Sequence, residues 1–112
     1  MSRVSKRLTD TERKEVIQKA VDKWGVDAQK KMAIEEMSEL IKELCKTWRD
    51  NTNSLSEGIE ESRQEVVEEV ADSIIMLMQL RYIYGEDEVE KMIDHKLRRT
   101  LKRLDEQETS KC

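Results

Sequence analysis

"EEVADSIIMLMQLRYIYG", residues 68–85, decides the fold. From about Ile59 the pattern leading into it is amphipathic, but "SIIMLMQLRYIY" is apolar on most sides. A helix that is apolar all round is buried all round. Gly85 is a natural stop, so the spacing predicts a helix from about Ile59 to Tyr84. A chain of 112 residues makes one domain. Such a helix then has two possible covers: a partner subunit on one side, or a central place within a single bundle.

Three further helices flank it. Upstream, Met32, Ala33, Met37, Leu40, Ile41, Leu44, Cys45 and Trp48 mark the apolar face of a helix that Asp27 can cap. Before that, "TDTERKEVIQKAVDKWG" (9–25) opens on a possible capping box, Thr9 with Glu12. It carries Val16, Ile17, Ala20, Val21 and Trp24 at helical spacing and stops at Gly25. "RDNTNSLSEG" (49–58) reads as a loop from its Asn, Ser, Thr and Gly. Downstream, Val89, Ile93, Leu97, Leu101 and Leu104 give the stripe of a last helix from about Asp87 to Leu104. Residues 1–8 and 105–112 read as flexible ends around a single helical domain, 9–104. The expected architecture is all-α, a four-helix bundle with short connections.

Composition sets limits. Apolar residues make up 37% and charged ones 41%, which leaves little to fill a core, so subunits are expected to share apolar surface. The net charge of −4 argues against a generic nucleic-acid binder. "MSRVSKRLTD" has no apolar core of a leader peptide, and the longest apolar run is too short and polar for a bilayer. A soluble cytoplasmic protein is expected. Cys45 on an apolar stripe and Cys112 at the last position fit a buried and a loose thiol better than a disulfide. Trp24 and Trp48 are expected to close the ends of the core.

"AIEEMSELIKEL" (33–44) crowds four glutamates beside an apolar face. At 100° per residue, Glu36, Glu39 and Glu43 form one stripe flanking the core-facing seam, with Glu35 further out. In "EEVAD" (68–72), Glu69 and Asp72 stand in the same relation to Val66, Val70 and Leu77. If the two helices pack antiparallel, the pairs Glu36/Glu39 and Glu69/Asp72 could meet at one level. Converging carboxylates repel and raise one another's pKa, and a hard divalent cation relieves that. A solvated acidic face is equally open on this geometry. In "DHKLRRTLKR" (94–103), Lys96, Arg99 and Arg103 lie close together on one helix, a line that can follow a polyphosphate. The same cations can simply complement the helix macrodipole. His95, the only histidine, has no visible catalytic partner.

"KWGVDAQKKMAIEEMSELIKEL" followed by "EEVADSIIMLMQL" resembles the MazG-like, all-α nucleoside triphosphate pyrophosphohydrolases. The family signature is E-E-x-x-E, then E-x-x-D on the next long helix. Here these are Glu35, Glu36 and Glu39, then Glu69 and Asp72. The likeness covers roughly residues 20 to 103. It implies Glu36, Glu39, Glu69 and Asp72 as Mg²⁺ ligands, with Mn²⁺ a possible substitute. Glu35 would be outside the ligand set or a base orienting water, so Glu35 and Glu36 are the catalytic candidates. Lys96, Arg99, Arg103 and Gln29 would bind substrate. Asp94 stands where the family often has Asn in the last helix, and the 51–58 loop lengthens the gap between the motifs. The implied reaction is cleavage between the α- and β-phosphates, giving a monophosphate and pyrophosphate. The implied assembly is a homodimer or a tetramer of two dimers, with no nucleic-acid or membrane partner. A non-catalytic dimerising module, and a member that binds nucleotide without hydrolysing it, are the alternatives.

Overall fold

The computed structural model describes residues 7–49 and 59–110, and among these the chain is all helical, with no strand. The helices are α1 (Asp10–Trp24), α2 (Val26–Arg49), α3 (Ile59–Tyr84) and α4 (Glu86–Ser110). The all-α expectation holds. The loop expected at 49–58 lies outside the described residues beyond Arg49, as do residues 1–6 and Cys112.

Local chemistry sets most boundaries. The backbone N–H of Glu12 donates to Thr9 Oγ1 at 3.1 Å, and that of Thr9 donates to Glu12 Oε1 at 2.8 Å. The capping box thus satisfies donors that the first turn leaves open. Single glycines join α1 to α2 and α3 to α4. Gly25 (φ 92) donates its N–H to the Val21 carbonyl at 2.8 Å and accepts from the Gln29 N–H at 3.1 Å. Gly85 (φ 120) repeats this with Arg81 and Val89, at 3.0 and 3.1 Å. Each glycine thereby ends one helix and starts the next. Asp27 falls inside the first turn of α2 rather than capping it, because Gly25 reverses the chain with its backbone alone. There the Asp27 carboxylate still complements the helix dipole.

α2 and α3 form the main pair. Lys46 reaches Glu65 at 3.7 Å at one end, and the Lys30 ammonium sits 5.6 Å from the Tyr84 ring centre at the other, so the two run antiparallel. α1 lies against both. Ile17 and Val21 of α1, Ala33 of α2 and Met76 of α3 form the apolar core, with Gln29, Ser73 and Gln79 buried among them.

Several expectations fail on burial. Cys45 is free but exposed, and Trp24 and Trp48 are 60% and 88% exposed. For Cys45 and Trp48 the reason is length: α1 has 15 residues against 24 in α2, about 22 Å against 36 Å, so among the described residues only α3 lies along the far half of α2. Within one chain α3 is not covered all round, since Ile74, Ile75 and Leu77 are exposed, so it is not the central helix of a single-chain bundle. α4 runs on to Ser110, past the expected end at Leu104. "DEQETS" offers good helix formers and neither glycine nor proline, so nothing stops the helix there. Nor does α4 complete a bundle within the chain. It packs on α3 near Gly85, through the Arg81–Glu90 ion pair (2.6 Å) and a Lys14–Glu86 bridge (2.9 Å) from α1. From Glu90 to Glu108 every residue is exposed. Among the described residues no helix is long and apolar enough to cross a membrane.

Candidate metal centre

The antiparallel packing of α2 on α3 brings together three of the four acids of the two pairs. It places Glu36 of α2 beside Glu69 and Asp72 of α3, with one carboxylate oxygen from each all within 4.8 Å of one another. The seam residue Ala33 lies one turn from Glu36, and Ser73 and Met76 lie next along α3, so the cluster sits directly beside the core. Glu36 and Glu69 are half-buried and Asp72 is exposed.

The electrostatics are those of an uncompensated acidic site. Partial burial pushes the Glu69 carboxyl above the ordinary carboxylate range, and Glu36, Asp72, Glu39 and Glu43 push it further in the same direction. Every charged neighbour acting on it is acidic. Glu69 Oε2 and Glu43 Oε2 are buried without a hydrogen-bond partner, an arrangement that costs free energy unless something fills the coordination. A hard divalent cation fits this donor set. It takes oxygen ligands, and two ligands on opposite sides of a Mg²⁺ ion stand about 4.2 Å apart, which the observed spread allows.

The remaining sequence candidates divide. Glu39 is exposed and stands outside the three-residue cluster, yet is near enough to act on Glu69. Glu35 is exposed on the far side of the acidic stripe. Gln29 is buried at the start of α2, with its Oε1 unpartnered. Lys96, Arg99 and Arg103 are exposed on the outlying part of α4, as is His95. The chain therefore brings the acids together but not the cations to the acids.

Three residues went unnoticed as part of this setting. Glu43 was seen in the acidic stripe but not assigned to the site, although it bears on Glu69. Ser73 and Gln79 are buried, and Ser73 Oγ and Gln79 Oε1 lack partners. Their signal was available: they are the polar letters inside the apolar run "SIIMLMQL".

No protein-family model matches the chain, no curated protein matches it in sequence, and no solved structure matches its fold.

Proposed function

We propose that the protein is a Mg²⁺-dependent nucleotide pyrophosphohydrolase, in the all-α pyrophosphatase fold that its motifs resemble. It would work in the cytoplasm, as a homodimer or a tetramer of two dimers, on a nucleoside triphosphate. The observation that supports this most is the convergence of Glu36, Glu69 and Asp72 from two helices, with a buried carboxylate oxygen left unpaired.

Glu36, Glu69 and Asp72 would hold the ion, with Glu39 completing the set. When bound, the ion supplies charge neutralisation and polarises the phosphoryl oxygens. The water oxygen bonds to the α-phosphorus as the bond to the α–β bridging oxygen breaks. That electron pair leaves with pyrophosphate. The proton of the water would go to a carboxylate, for which the resemblance offers Glu35 or Glu36. The resemblance gives Lys96, Arg99 and Arg103 the task of balancing charge on the leaving pyrophosphate, and since they stand away from the acids within one chain they would act from a second copy. Gln29 offers an unsatisfied amide to the nucleotide.

The test is pyrophosphate release from a panel of natural and modified nucleoside triphosphates, with Mg²⁺ and with a chelator. Turnover that needs the ion and disappears in Glu39→Ala and Asp72→Ala, with helicity kept, supports the proposal. Activity surviving in both variants overturns it. One observation favours a second reading, a non-catalytic helical interaction module: the whole outer length of α4 presents an uncovered apolar stripe. Calorimetry with a non-hydrolysable triphosphate separates the two, since the module would bind neither ion nor nucleotide. Binding without turnover would mark a degenerate member.

A further inference from the structure

Ser73 holds a hydroxyl that the fold does not use. It follows Asp72 directly and lies one turn beyond Glu69 on α3, with 4% of its surface exposed. Its Oγ is buried and makes no hydrogen bond. A buried hydroxyl in that state costs free energy that an alanine at the same place would not.

The ordinary outlet for such a group lies unused. A serine or threonine inside a helix commonly turns its hydroxyl back onto a carbonyl of the preceding turn. Elsewhere in this chain that happens. Ser38 Oγ donates to the Ile34 carbonyl at 2.7 Å, Thr47 Oγ1 to that of Leu44 at 2.8 Å, and Thr100 Oγ1 to that of Lys96 at 3.0 Å. Ser73 has the Glu69 carbonyl in the same relation and makes no bond to it. Its proton is left for another acceptor.

An acceptor stands one turn away. Side chains four residues apart on a helix are neighbours. Four residues before Ser73 is Glu69, whose Oε2 is likewise buried without a partner. An orphaned donor and an orphaned acceptor thus occupy adjacent turns of one helix without being joined, and side-chain torsions of Glu69 can join them. Every charged neighbour acting on Glu69 is acidic, so no cationic side chain steadies its carboxylate. A carboxylate that gives one oxygen to a cation keeps the other free, and hydrogen bonds to ligating groups fix their orientation.

We propose that Ser73 is a positioning residue of the metal centre: with a divalent cation held by Glu36, Glu69 and Asp72, its hydroxyl donates to Glu69 Oε2 and fixes the orientation of that ligand. The inference rests on the metal reading above and adds a residue that the acidic motifs do not contain. Ser73 acts through Glu69 alone and touches no substrate. It also gives a reason for the apolar run of α3 to open on a serine, since position 73 then belongs to the seam and to the site.

Ser73→Ala separates this role from packing. Alanine fits the space, favours the helix and removes the orphaned hydroxyl. In chelator the variant should therefore be at least as stable to urea as the wild type. Calorimetry with Mg²⁺, and again with Mn²⁺, should show roughly 10- to 100-fold weaker binding. Ser38→Ala, which removes a hydroxyl already bonded to its own helix, should bind the ions as the wild type does. Equal ion affinity in wild type and Ser73→Ala overturns the inference. So does a loss of affinity matched by a loss of stability in chelator, which is a packing effect, or an equal loss of affinity in Ser38→Ala. Pyrophosphate release on the same samples keeps the readings apart. A wild type that binds neither ion removes the metal reading and this inference together. A wild type that binds the ion, loses affinity in Ser73→Ala and releases no pyrophosphate sinks the catalytic reading alone.

Discussion

Glu36 on α2 and Glu69 on α3 set carboxylate oxygens within 4.8 Å of each other, from helices that run in opposite directions. With Asp72 in the same cluster, the folded chain holds like charges together that the unfolded chain keeps apart. A divalent cation that binds only the folded arrangement must therefore stabilise it. At a hundredfold excess over its Kd the gain is about 2.7 kcal/mol. For a chain of this length that is a rise in Tm on the order of 10 °C. Thermal unfolding with and without Mg²⁺ measures it. Asp72→Asn should melt higher than the wild type in chelator and gain much less from the ion. An equal gain in both proteins would show that the cation binds elsewhere.

Acidity should act on the same residue with a definite sign. In the folded chain the Glu69 carboxyl titrates above its ordinary value of 4.5. Just above that value the folded chain holds a proton that the unfolded chain has lost, so stability falls as pH rises through the folded pKa. Glu86 works the other way: its hydrogen bond with Lys14 lowers its pKa, and its contribution fades as pH falls. Comparing wild type with Glu69→Gln cancels the second effect. In chelator the variant should be the more stable at pH 7, with the gap closing towards pH 4, and Mg²⁺ should shrink the gap at pH 7. Urea titrations at the two pH values check this, and a gap independent of pH contradicts it.

How much of this was legible in the sequence depends on whether a feature was local. Thr9 with Glu12, Gly25 and Gly85 declare helix ends through chemistry confined to a few residues, and each behaves as read. The acidic pairs were legible as faces because helical periodicity fixes which residues share a side. Their meeting needed one further fact, the antiparallel register of α2 on α3, which spacing cannot supply. Burial was the least legible. Cys45, Trp24 and Trp48 lie at apolar positions, yet apolar spacing says only that a residue could be covered, not that an element is long enough to cover it. The same gap explains α4, whose stripe was read as one wall of a bundle and stands in water within a single chain.

The start of α1 offers a test of the local part of this account. Thr9 Oγ1 accepts the Glu12 N–H, and Glu12 Oε1 accepts the Thr9 N–H in return. Thr9→Ala removes one half of the box and leaves an open donor in the first turn. The expected loss is about 1 kcal/mol. Since α1 supplies Ile17 and Val21 to a very small core, that loss should appear in global unfolding rather than as fraying alone. Thr9→Ser, which keeps the acceptor, should restore most of it. A denaturant midpoint unchanged in Thr9→Ala would mean that α1 opens independently of the α2–α3 pair.

The glycine at the first helix junction should be the most sensitive backbone position of the two-helix turn. Gly25 sits at φ 92 and ψ 155, a region that residues with a Cβ scarcely enter. A Cβ built there meets no atom within 4 Å, so crowding is not the obstacle and the backbone conformation alone is. Gly25→Ala should therefore destabilise by about 1–3 kcal/mol, the cost of holding a non-glycine residue in that region. Relaxing the strain by rotating the junction would shift α1 against α2 and α3, moving Ile17 and Val21 out of the core and Gln29 away from the seam. The two routes differ in what they leave behind. Strain with geometry kept lowers the denaturant midpoint but preserves Mg²⁺ affinity, because Glu36 of α2 meets Glu69 and Asp72 of α3 through the α2–α3 packing, which the α1–α2 junction does not set. Rotation would leave the α2–α3 acids in place too, but would expose more apolar surface in the native state and lower the denaturant slope. Measuring midpoint, slope and Mg²⁺ affinity on Gly25→Ala decides between them. A variant with wild-type stability would show that the junction has freedom the structure does not display.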